Sequence, residues 1–162
     1  MKATSLLLAV LLGAGCTEHV VFQQDTPVPN GQWDRAWKPG FTFEITDTVA
    51  PHDIYVDIRH TGDYPFSNLY VFATLTGPRG HSLTDTVECL LADPTGRWYG
   101  KGTGFIHSDR VSAHVLYRTG STFPSAGRYT LQLEQAMRSQ TLPGMLDVGV
   151  SIEHATGRSQ QR

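Results

Sequence analysis

From residue 41 to residue 153 apolar side chains return at every second position, and that period constrains the fold more than any other feature. Phe41, Phe43 and Ile45 alternate with Thr42, Glu44 and Thr46, and Ile54, Val56 and Ile58 alternate with Tyr55, Asp57 and Arg59. Tyr129, Leu131 and Leu133 interleave with Thr130, Gln132 and Glu134, and Val148, Val150 and Ile152 with Gly149, Ser151 and Glu153. Successive side chains of a strand point to opposite faces, so each run predicts a strand with one buried and one wet face. Leu69, Val71, Ala73 and Leu75 alternate with Tyr70, Phe72 and Thr74, which leaves both faces of that strand largely apolar.

Turn chemistry separates the runs. Gly77-Pro78-Arg79-Gly80 and Asp93-Pro94-Thr95-Gly96 carry Pro second and Gly fourth, as a type I turn prefers, and Pro124-Ser125-Ala126-Gly127 is a third break. Helical spacing is confined to a short candidate turn at residues 134–138. The expectation is an all-β chain, an antiparallel β-sandwich of about seven to nine strands. Its core should contain Phe43, Ile45, Val56, Ile58, Val71, Tyr129, Leu131, Leu133, Val148 and Val150. Gly127-x-Tyr129 at a strand start resembles the tyrosine corner of Greek-key sandwiches.

The N-terminus predicts a compartment. Lys2 precedes an apolar and small-residue stretch over residues 5–15, which ends at Cys16. Spanning a bilayer takes roughly 20 residues, so this is a signal-peptide core and not a membrane helix. Small residues before a lone cysteine read as a lipoprotein signal, cut before Cys16, whose thiol then carries palmitate or a similar acyl chain. Gly13 stands where such signals usually have leucine, and an ordinary signal peptide cut near Ala14 is the alternative. Two or more acyl chains hold a protein stably on a membrane. The domain division expected is a signal peptide over residues 1–15, an anchored tether and irregular lead-in over 16–40, a sandwich over 41–155 and a polar tail over 156–162.

Loss of Lys2 moves the charge balance from 13 basic against 15 acidic residues to 12 against 15, with no basic run. That argues against nucleic acid as a partner. With Cys16 acylated, Cys89 has no cysteine left to pair with and reads as a small core residue. The seven histidines are scattered singly, so no metal ligand set is expected, and neither is a cofactor. Asp47, Asp53, Asp57, Asp63, Asp85 and Asp93 fall on different turns and strand faces and read as surface charge. No nucleophile elbow, zinc-protease helix or Cys-x-x-Cys motif occurs. The run Trp98-Tyr99-Gly100-Lys101-Gly102-Thr103-Gly104 has the wrong spacing for a phosphate loop and instead leaves one face of an extended segment bare.

Several ordered motifs carry a family likeness. They are residues 57–70 (Asp-Ile-Arg-His-Thr-Gly-Asp-Tyr-Pro-Phe-Ser-Asn-Leu-Tyr), Thr84-Asp85-Thr86, residues 92–100, Gly102-Thr103-Gly104, Phe123-Pro124-x-x-Gly127-x-Tyr129, residues 134–138 and Asp147-Val148-Gly149. Together they resemble the gliding motility lipoprotein GldH family of Bacteroidetes, over essentially the whole mature chain. The resemblance implies a non-enzymatic envelope lipoprotein of the gliding apparatus, acting by protein contact with other gliding or secretion proteins. No catalytic residues come with it. The alternative is a carbohydrate-binding module or glycan-active enzyme, with Trp33, Trp37, Trp98 and Tyr64 as sugar-stacking rings. The expected contact residues are Tyr64, Pro65, Phe66, Asn68, Trp98, Tyr99, Gly100, Gly102 and Gly104, because exposed turns on a rigid scaffold are where binding concentrates. Thr17-Glu18-His19 lacks both an inner-membrane aspartate and an acidic export cluster, so the expected location is the outer membrane, facing the periplasm.

Overall fold

The computed structural model of the chain describes residues 19–102 and 110–155. The period-two runs become two antiparallel sheets. One sheet has the order β1 (Val20–Pro27), β11 (Met145–His154), β4 (His52–Thr61), β8 (Arg110–Ser121) and β7 (Lys101–Gly102). The other has the order β3 (Gly40–Ile45), β9 (Gly127–Gln135), β5 (Asn68–Thr76) and β6 (Ser82–Leu90). A small ribbon pairs β2 (Gln32–Asp34) with β10 (Thr141–Pro143). Eight of these strands have six residues or more and three have two or three, so the long ones match the expected number.

The two sheets share one core. All ten residues expected to be buried are buried, and Phe43, Phe123 and Tyr129 pack their rings together within it. Tyr129 donates its hydroxyl proton to the Ser125 carbonyl at 2.8 Å, which is the corner the Gly127-x-Tyr129 pattern suggests. The turns at residues 77–80 and 93–96 close with Gly80 N–H to Gly77 O at 3.0 Å and Gly96 N–H to Asp93 O at 2.9 Å. Cys89 is fully buried, and burial pushes its thiol up to about 12, so it is inert at neutral pH.

Two segments differ from the sequence reading. The lead-in expected over residues 16–40 contains β1, which runs along β11 from Val20↔Glu153 to Pro27↔Asp147. Trp33, on β2, is completely buried and donates its indole N–H to the Trp37 carbonyl at 3.0 Å. An edge strand is held by backbone pairing, so both its faces stay largely exposed and its sequence shows little alternation. Residues 134–138 form no helical turn. β9 continues to Gln135, whose buried amide donates to Ser139 O at 2.9 Å and Gln140 O at 3.1 Å and accepts from Met137 N–H at 3.0 Å. Helix-compatible composition there yields to a side chain that ties the chain into a bend.

The register defines two ends. At the entry end lie Val20, the 46–51 connection, the 77–81 hairpin and the 122–126 connection, with His154 N–H bonded to His19 O at 2.7 Å. The far end gathers the chain around residues 28–39, 62–67, 91–100 and 136–144. Ten residues of β4 separate them, about 30 Å at the usual strand rise.

Candidate contact surface at the far end

Residues 64–68 and 98–102, the described parts of the two segments singled out for contact, meet at the far end. β4 supplies the post between them. His60 stands at its end, with ring centroids 5.6 Å from Tyr64 and 4.5 Å from Trp98, and Phe66 packs edge-on to Tyr64 at 5.7 Å. The Tyr64 hydroxyl donates to Asn68 O at 3.0 Å, and the Asn68 amide donates to Glu88 Oε1 at 2.7 Å. Burial raises the Tyr64 hydroxyl pKa well above its ordinary value. Trp98 is half-buried and bridges to Ala92, while Tyr99 N–H reaches Leu91 O at 2.8 Å. Gly100 lies against β8 so closely that an added Cβ would sit 2.3 Å from Ser112 O. Only glycine allows that approach.

The expected contact residues therefore divide. Tyr64, Phe66, Asn68, Trp98 and Gly100 build the closure of this end, whereas Pro65 and Tyr99 face solvent, Tyr99 with 60% of its surface. Gly102 is the last residue of the short β7, and Gly104 lies outside the described residues, as does Cys16. The rings named for sugar stacking form no platform. Trp33 and Tyr64 are buried, and Trp33 and Trp37 meet at 79°.

A second feature escaped the sequence reading. Register aligns Asp25, Gly149, Asp57 and His114 in one row across β1, β11, β4 and β8. The next row holds Asp147, Arg59 and Ser112, and together they floor an open groove of about 340 Å³ on the outer face. Asp25 leans over the bare Gly149, where a Cβ would meet its Oδ1 at 2.0 Å. Burial, then the charges of Asp57 and Asp147, raise the Asp25 pKa. Ser151 Oγ and His114 Nδ1 both donate to Asp57, and Arg59 Nε donates to Asp147 at 2.6 Å. A serine nucleophile needs its hydroxyl on the histidine and the carboxylate behind it. Here the carboxylate sits between the two, so the row clamps strands together and does not activate the serine. No group of three or more potential metal ligands occurs among the described residues. The only signal in the sequence was polar residues at alternate positions of separate runs, and only long-range register brings them into line.

Two kinds of histidine give this domain opposing pH responses. His60 is fully buried, its Nδ1 donates to Thr61 O at 2.8 Å and its Nε2 has no partner, so the ring is neutral. Burial lowers its pKa, as burial followed by His154 does for His52. A depressed histidine binds fewer protons folded than unfolded, so its contribution is lost as pH falls below about 6.5. His114 is raised by its bond to Asp57, which favours the folded state below about 6.5 and fades as pH rises above that. His114 is half-exposed and screened, so the buried pair dominates. Thermal melts should show stability falling from pH 7 to pH 5, and His60→Phe should flatten that fall. A steeper fall in the variant would contradict the assignment.

The family model described as GldH lipoprotein matches residues 20–152, from the first residue of β1 into β11. The chain is 27% identical over 154 residues to the gliding motility lipoprotein GldH homolog of Christiangramia forsetii, covering 91% of each. It is 28% identical over 155 residues to the gliding motility lipoprotein GldH of Flavobacterium johnsoniae, covering 91% of this chain and 93% of that protein. A chain from the structure of infectious bursal disease virus, Gx strain, aligns over 88% of this chain and 31% of its own length at 11% identity. Its TM-score of 0.32 is too low to bear on fold or function.

Proposed function

The chain belongs to the GldH lipoprotein family, and we propose that it is a lipid-anchored, non-catalytic component of a gliding apparatus that presents its far end to other envelope proteins. The observation that carries this is polarity of the domain. Cys16 leads into β1 at one end, and the segments expected to make contact close the other, about 30 Å away. An acylated Cys16 would hold the entry end at the outer membrane and hold the far end out into the periplasm. The far-end turns project from a rigid scaffold, where binding residues concentrate. The Ser151–Asp57–His114 order supports a role without turnover. The burial of Trp33 and the steep angle between Trp33 and Trp37 weigh against the carbohydrate alternative.

Tyr99→Ala tests the contact surface. Tyr99 is exposed, so the substitution should leave stability within about 0.5 kcal/mol. It should also weaken recovery of envelope partners in cross-linked pull-downs from membranes. Trp98→Ala removes the ring over His60 and should instead destabilise the domain by about 2 kcal/mol. Undiminished recovery with Tyr99→Ala, or glycan binding by the purified protein, would count against this reading.

A further inference from the structure

We propose that the apolar groove at the entry end seats an anionic phospholipid of the membrane to which Cys16 is anchored. The proposal rests on the lipid-anchored reading above and adds a second, non-covalent contact to it. The groove, about 400 Å³, opens between the 77–81 hairpin and the connection from β8 to β9. Ile54, Leu75, Leu83, Phe123 and Tyr129 line its apolar part. Its polar lining includes Arg79, His81 and Arg118, with no aspartate or glutamate among the lining residues. Arg118 is already bonded to Asp85, so Arg79 and His81 are the groups that face an incoming anion. Ligand sites are mostly apolar with a few placed charges, and an acyl chain under a phosphate has that same division.

Chain length says which surface this groove meets. His19 is bonded to His154 at the entry end, and Cys16 is three residues further back. Three residues reach at most about 11 Å, so acyl chains on Cys16 enter the bilayer close beside this end. Val49, 83% exposed, and Leu83, 54% exposed, project from the same end. Exposed apolar side chains beside a lipid anchor fit a surface that meets lipid. Basic side chains close to an anionic surface strengthen such contact.

Position makes the test direct. Trp33, Trp37 and Trp98 all lie toward the far end, so the native chain has no tryptophan near the groove among the described residues. The full lipoprotein carrying Leu83→Trp should be purified from membranes and reconstituted in phosphatidylglycerol vesicles with brominated acyl chains. Mass spectrometry of the purified chain reports acylation of Cys16, and a chain without acyl mass would overturn the anchor itself, a separate result. In the acylated chain the added indole should be strongly quenched while native fluorescence stays nearly unchanged. Adding Arg79→Glu and His81→Glu should reduce that quenching by roughly half or more, as should replacing phosphatidylglycerol with phosphatidylcholine. An acylated, folded Leu83→Trp chain that escapes quenching would overturn the proposal. Equal quenching of the native tryptophans, quenching indifferent to lipid charge, or occupation of the groove by a cross-linked protein would do the same.

Discussion

Trp33→Ala should lower the melting temperature by roughly 6–20 °C. The Trp33 ring is completely buried between the β2–β10 ribbon and the main core, with Leu142 opposite it in register and Met145 also fully buried. Truncating a buried tryptophan costs about 3–5 kcal/mol, through lost transfer free energy and the cavity left behind. In a domain of this size each kcal/mol shifts the melting temperature by about 2–4 °C. The indole N–H to Trp37 O bond disappears as well, leaving that carbonyl unpaired. Val21→Ala is the matching control, since Val21 is on β1 but outside the buried core, and it should cost far less stability than Trp33→Ala. Calorimetry on the two variants decides whether residues 20–34 belong to the folded unit. A silent Trp33→Ala would return that segment to the role of a tether.

That experiment falls where the sequence was least legible. Period-two alternation is created by burial of one face, so strands with a dry face announce themselves, and Val56, Leu131 and Val150 were identifiable from spacing alone. β1 has no dry face and is held by backbone bonds to β11, which no local pattern reports. Trp33 sits among prolines, glycines and polar residues, and only the distant Leu142 reveals it as core. The far-end surface was half legible. Turn chemistry marked both segments, but that His60 would join Tyr64 to Trp98 depends on strands far apart in the chain. Consequently the aromatic residues that drew notice are mostly the closure itself, and the exposed positions are their neighbours Pro65 and Tyr99. The Asp25–Gly149–Asp57–His114 row was illegible for the same reason, since each member comes from a different strand.

Cys16→Ser should move the protein from the membrane fraction to the soluble fraction and abolish labelling by palmitate. On the lipid-anchored reading, acyl chains on Cys16 supply the retention, and among the described residues no helix is long and apolar enough to cross a membrane. Each buried methylene contributes about 0.8 kcal/mol, and two or more chains make release effectively negligible, whereas none leaves only surface contacts. One lipid in the entry-end groove would orient the domain but not retain it against dilution. The substitution precedes β1 in the sequence, so the melting temperature of the released protein should stay close to that of the wild type. Partner recovery should nevertheless fall, because confinement at the membrane raises the effective concentration of the far-end surface near other anchored components. Fractionation, label incorporation and a thermal melt on one preparation separate these effects. Palmitate retained on the serine variant would rule out Cys16 as the anchor. A released protein that still recovers its partners undiminished would mean that contact at the far end does not depend on the tether.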